Sequence, residues 1–275
     1  IGFWEMGTVK QLECPSLERR CVKWLELSEG SWPQLAACLG STRVLELSLG
    51  RNSRAFPHDV TLATLCPRME RLMLSEFEPV DRLWLPPQLP TSLTALTVLG
   101  ARGYAPWAKS VARLPASQRP TLRHLVVDLS TEIVPALLGW SIQLESVSLF
   151  CMDEDARHDE SVRALVAQCA PTLRHLHLLC APVSSFDTVV RSTPLFPRLV
   201  ELRGEVDPSQ AAALCRIVKQ RCPRLHRLTM RGADCDEMVR ALGAAEWCAT
   251  RQQRVSDVVR RSFVNASDDP VVAKA

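Results

Sequence analysis

The stretch Cys222-Pro-Arg-Leu-His-Arg-Leu-Thr-Met230 recurs along the chain, and its recurrence limits the possible folds more than any other feature. Close copies are Cys66-Pro-Arg-Met-Glu-Arg-Leu-Met-Leu74, Pro120-Thr-Leu-Arg-His-Leu-Val-Val127 and Cys169-Ala-Pro-Thr-Leu-Arg-His-Leu-His-Leu178, with a shorter one at Phe196-Pro-Arg-Leu-Val-Glu-Leu202. In the four longer copies an apolar residue stands at positions 1, 4 and 6, and the shorter one keeps positions 1 and 4. Units open at Met69, Leu93, Leu122, Leu144, Leu173, Leu199 and Leu225, at spacings of 24, 29, 22, 29, 26 and 26 residues. Two earlier units start at Val22 and Thr42, which makes about nine. Side chains alternate along a strand, so positions 4 and 6 share one side and position 5 takes the other. A unit this short cannot bury its own apolar side, so it must stack on its neighbours. The pattern therefore predicts an α/β solenoid: one short parallel strand per unit, joined by a return segment.

The return segments differ. Asp59–Cys66, Ser161–Cys169 and Ser209–Lys219 have helical periodicity, and each stops before the proline that opens the next strand. Asp207-Pro-Ser209 reads as a helix start, with the aspartate as cap. Leu83–Pro90 holds too many prolines for a helix and predicts an extended or 3₁₀ return. Residues 1–20 read as an N-terminal cap and 21–232 as the solenoid. Residues 233–264 read as a helical C-terminal cap, with helices over Asp234–Leu242 and Gln253–Val264, and 265–275 as a flexible tail.

Composition excludes some functions. The chain has 275 residues, 47% of them hydrophobic, and a formal net charge of +3, too mild for a dedicated nucleic-acid binder. It has no apolar run long enough to span a membrane. The segment Ile1-Gly-Phe-Trp-Glu5 does not read as a signal peptide. Eleven cysteines occur with no Cys-x-x-Cys pair, and Cys66, Cys169 and Cys222 share one repeat position. A cysteine at a fixed apolar slot is a small buried hydrophobe. Its free thiol implies a reducing compartment, so the expected localisation is intracellular, cytoplasmic or nuclear.

The information about function lies between the leucines. Residues at positions 3, 5 and 7 face the open, concave side of a solenoid. The candidates for protein binding there are Trp24, Arg71, Met73, Leu99, His124, Val126, Phe150, His175, His177, Arg203, Arg227 and Arg231. They form an apolar middle with Arg and His toward the C-terminal end, which suits a protein-binding groove. Glu201 and Glu205 beside Arg203 argue against an uninterrupted nucleic-acid track. No catalytic residue, cofactor site or metal site is assigned. His124 and His175 lie two strands apart, about 10 Å, too far to share one ion. The acidic run Asp153–Glu160 matches no calcium loop and reads as an exposed loop before a helix. Asn265-Ala-Ser267 matches a glycosylation acceptor, a chance match in a chain read as intracellular. Nucleotide-binding, metalloprotease and nucleophile-elbow motifs are absent from the sequence. Trp107 and Trp140 fall in return segments, where packing between repeats is expected.

Cys66/Pro67/Met69/Leu72/Leu74, Leu122/Leu125/Val127, Cys169/Pro171/Leu173/Leu176/Leu178 and Cys222/Pro223/Leu225/Leu228/Met230 resemble the leucine-rich repeat family. The flavour is similar to the cysteine-containing and ribonuclease-inhibitor-like subclasses, over roughly residues 20 to 232. The resemblance implies a curved horseshoe. It also implies a non-catalytic interaction module, an adaptor or a substrate receptor of the kind ubiquitin ligases carry downstream of an F-box. No F-box is seen in residues 1–20. The alternative is a structural subunit of a large ribonucleoprotein or cytoskeletal assembly, with nucleic acid met only inside it. Arg251, Arg254, Arg260 and Arg261 are the sequence hint for that.

Overall fold

Positions 1, 4 and 6 of the repeat are where the core forms. The computed structural model describes residues 20–22, 44–49, 63, 67–75, 89–99, 105–129, 133–150, 159–179, 183–192, 195–231, 247–251 and 260–265. The chain has an α/β fold in which parallel strands alternate with helices. It divides into two compact units, Ile1–Ile142 and Gln143–Ala275. In the units opening at Met69 to Leu225, every apolar residue at positions 1, 4 and 6 is at most 2% exposed. At the sixth position of its unit Gly204 is buried instead.

The first unit holds β1 (Arg20–Val22), β2 (Val44–Leu49), β3 (Arg71–Ser75), β4 (Ala95–Leu99) and β5 (His124–Asp128), paired in parallel in that order. Helix α1 (Ala105–Ala112) precedes β5, and α2 (Ile133–Leu138) follows it and packs beside α1. β2 to β5 start at the third residue of their repeats, as expected. β1 does not. Val22 is the register partner of Leu47, a place the repeat gives to Leu27. A register shift between Arg20 and Cys21 sets this alignment. The Asp59–Cys66 and Leu83–Pro90 returns fall largely outside the described residues.

The second unit holds β6 (Ser146–Phe150), α3 (Asp159–Cys169), β7 (His175–Leu179), α4 (Val183–Ser192), β8 (Glu201–Glu205), α5 (Ala211–Arg221) and β9 (Arg227–Arg231). β6 to β9 pair in parallel, and α3, α4 and α5 lie side by side. The expected helices appear as α3 and α5. Asp207 caps the 3₁₀ turn Pro208–Gln210 before α5 by accepting from Ser209 N–H at 2.9 Å and Ser209 Oγ at 2.8 Å. α5 ends where Cys222 donates its N–H to Val218, one residue before Pro223. α1, α2 and α4 are additional to the expected set.

One expectation is corrected. Gln253–Val264 was expected to be helical, but Arg260–Asn265 is a strand, β11, antiparallel to β9 and to β10 (Trp247–Arg251). β9 would otherwise be an edge with unpaired N–H and C=O groups, and β11 satisfies them. Asp234–Leu242 lies outside the described residues.

A hydrogen-bond motif ties consecutive repeats together within each unit. The carbonyl of repeat position 2 accepts from the N–H groups at positions 2 and 3 of the next repeat. Glu70 receives Thr94 and Ala95 this way, Glu145 receives Arg174 and His175, Arg174 receives Val200 and Glu201, and Val200 receives His226 and Arg227, all at 2.8–3.1 Å. Two hydroxyls reinforce it just before the first leucine. Ser92 donates to Met69 O at 2.8 Å, and Thr172 donates to Leu144 O at 2.9 Å. Behind the strands of the first unit, Trp140 is buried with the Arg119 guanidinium 5.8 Å from its ring centroid.

Candidate functional site

A parallel sheet is ordinarily covered on both faces. Here the leucine side is buried, while the side carrying positions 3 and 5 keeps partial contact with water, except at Ser148 and Thr229, which are buried. In the first unit Arg71 and His124 are exposed, and Met73 and Val126 are half-buried. Arg71 is the register partner of Ala95, and Ala95 of His124, which places Arg71 and His124 on one cross-strand row. Asp128 points the same way but is buried. Leu99 ends β4 as the register partner of Ser75. Trp24 lies outside the described residues.

In the second unit Phe150, His175, His177 and Arg203 are half-buried and Arg227 is exposed. Arg231 ends β9 as the register partner of Glu205 and Arg260. The structure joins His177, Arg203 and Arg227 through a residue absent from the candidate set, Glu201. Arg203 Nε bonds Glu201 Oε1. His177 Nε2 lies 3.6 Å from the same oxygen and Arg227 Nη1 lies 3.9 Å from it. The His177 contact is longer than an ordinary hydrogen bond, so it acts as an electrostatic one. The His177 ring edge and the Arg203 guanidinium together outweigh burial and hold the Glu201 carboxyl at about 2. On its other side, His177 Nδ1 meets Ser148 Oγ at 3.2 Å. The carboxylate beside Nε2 favours the tautomer protonated there, with the Ser148 hydroxyl donating to Nδ1.

A hydroxyl, an imidazole and a carboxylate thus stand in line across β6, β7 and β8. The line is a poor nucleophile. Ser148 is only 9% exposed and sits mid-strand, where neighbouring N–H groups serve the sheet ladder rather than an oxyanion. Glu201 is also committed to arginines as well as to the imidazole. The arrangement is a charge-balanced polar hub, with the outer edges of Arg203 and Arg227 turned to solvent.

The cross-strand hub was readable in part. His-x-His in β7 and Glu-x-Arg in β8 occupy the same repeat positions, but the contact between His177 and Glu201 is diagonal and needs the register. The buried thiols offer no reactive alternative. Cys169, Cys215 and Cys222 are free and buried, and burial raises the Cys169 thiol and pushes Cys222 up to about 12. Cys66 lies outside the described residues. Among the described residues, no three His, Cys, Asp or Glu side chains are placed to hold a metal ion, and no helix is long and apolar enough to cross a membrane. Comparison with protein-family models, with curated proteins and with solved structures finds no match to this chain.

Proposed function

We propose that the chain is a leucine-rich repeat solenoid serving as a non-catalytic protein-interaction module. In this reading it is an adaptor or substrate receptor, of the ubiquitin-ligase kind, that engages a protein partner on the open strand face. The observation that carries the reading is the one-sided burial of the parallel strands. The repeat places leucines on one side only, and the other side presents non-repeating Arg, His and apolar residues. Repeat proteins use such faces for recognition. The repeated carbonyl motif supports the stacking of like units. The charge-balanced hub around Glu201 is a rigid platform, and Arg203 and Arg227 are the groups positioned to meet a partner's carboxylates.

The test is affinity isolation of the full protein followed by identification of what co-purifies in stoichiometric amount. A cullin-type ligase core would support the receptor reading. Ribosomal or cytoskeletal proteins in stoichiometric amount would move the chain to the structural alternative. Turnover of a small substrate without any protein partner would overturn both.

A further inference from the structure

The second unit has a surface that the open face does not include. It is the edge where helices end and the next strands begin. Arg198 and Arg224 occupy the same corner of two successive repeats, in the turns Phe196–Leu199 and Cys222–Leu225. Both turns close by the same bond, Leu199 N–H to Phe196 O at 3.4 Å and Leu225 N–H to Cys222 O at 3.1 Å. Arg174 stands just before β7 on this edge. The chain segments bearing these three are linked in sequence by the position-2 carbonyls of Arg174 and Val200. All three side chains are exposed, and among the described residues none of them has a hydrogen-bond or ion-pair partner. Arg191 and Lys219, in the last turns of α4 and α5, flank them and are exposed as well.

Basic residues at helix C-termini are expected from the helix dipole, and that accounts for Arg191 and Lys219. It does not account for Arg174, Arg198 and Arg224, which lie outside helices. Charge is sorted between the two edges. Among the described residues Glu145 and Glu201 stand where strands begin, Glu201 being tied to Arg203, whereas Asp159, Glu160, Glu205 and Asp207 stand where strands end and helices begin.

We propose that the edge bearing Arg174, Arg198 and Arg224 binds the phosphodiester backbone of a nucleic acid without reading its bases. Arg198 and Arg224 hold one repeat position on neighbouring repeats about 5 Å apart, and Arg174 stands two residues further on in the preceding repeat, so the three form a short basic cluster suited to a chain with one negative charge per residue. A phosphodiester backbone carries that charge by its chemistry, and the planar guanidinium fork fits phosphate oxygens bidentately. A protein interface would need a desolvated apolar centre. This edge offers Leu195, the one exposed large hydrophobic side chain among the described residues. Among the described residues no aromatic ring is exposed beside the cluster, so the contact proposed is to backbone alone. The proposal stands apart from the open-face reading and survives its failure.

The test is fluorescence anisotropy of a labelled oligothymidylate of about 20 nucleotides with the full chain, between about 50 and about 200 mM salt. Binding that weakens steeply with salt is expected. Arg174→Gln/Arg198→Gln/Arg224→Gln should lower affinity about tenfold or more and flatten the log–log salt slope by about 2, at roughly 0.7 per lost phosphate contact. Arg216→Gln, exposed on α5 of the same unit, should bind as the unmodified protein does. A thermal melt of the triple variant separates lost contacts from lost folding. If the triple variant melts early, the three single variants carry the test, each expected to flatten the slope by about 0.7. No binding at the lowest salt, or binding indifferent to these substitutions, overturns the proposal. So does polyglutamate that displaces the oligonucleotide at equal charge concentration, since the edge would then belong to an acidic protein segment.

Discussion

Glu201 shows how one residue can set the character of a face. Its side chain is 14% exposed and takes contacts from His177, Arg203 and Arg227 on one oxygen. Its carboxyl lies at about 2 against an ordinary value of 4.5, so the folded state binds a proton later than the unfolded chain does. The linked stability is therefore fully present above about 4.5 and is lost as pH falls toward 2. Glu201→Gln should cost about 1–2 kcal/mol at neutral pH. In urea titrations, the difference between the two proteins should shrink as pH falls through that window. A difference that stays constant with pH would show that packing, not charge, is what Glu201 supplies. The thiols give a second check at this scale. Cys169, Cys215 and Cys222 should resist iodoacetamide in the native protein and react once it is unfolded, as read site by site by mass spectrometry. Native labelling of any of the three would contradict their burial.

At the scale of elements, the bonds between repeats matter more than any single strand. Thr172 bonds Leu144 O and also Cys169 O at 3.1 Å, joining one repeat to the next and to the end of α3. Thr172→Val keeps the shape and removes both bonds. It should lower the urea midpoint by an amount worth about 1–2 kcal/mol, with an unchanged m-value. A neutral result would mean that the backbone motif alone carries the junction. Leu176→Ala, in the core of β7, should cost about 2–5 kcal/mol, whereas Leu195→Ala should be nearly silent. Much of this level was legible in the chain. The 1-4-6 spacing placed β2 to β9, because a fixed apolar period leaves one register that buries it. α3 and α5 were legible from longer apolar patterns and the prolines after them. α1, α2 and α4 were not, because they are short and tertiary packing, rather than their own periodicity, settles them. β11 was misread because Val255, Val258, Val259 and Phe263 fit a helical period, and no local pattern reveals that β9 has an open edge to fill. β1 was displaced because a three-residue strand with a register shift leaves little to align.

For the molecule as a whole, two surfaces of the second unit carry different chemistry. The open strand face is charge-balanced around Glu201, and the helix-end edge is basic. The shared side of positions 3 and 5 was legible because strand alternation assigns it directly. Its hub was not, because a diagonal contact depends on register. The edge was not legible either, because arginines in turns look unremarkable until the fold stacks them. The two proposals assign one surface to a protein and another to a polyanion, and the two are separable by mutation.

The most direct test of the central claim is recovery of the isolated protein partner by three forms of the full chain. These are the unmodified protein, Arg203→Glu/Arg227→Glu on the open face, and Arg198→Glu/Arg224→Glu on the edge. The open-face reading predicts that the first substitution pair lowers recovery by about tenfold or more, while the second leaves it unchanged. Equal recovery by all three forms, or a loss confined to the edge variant, would contradict it.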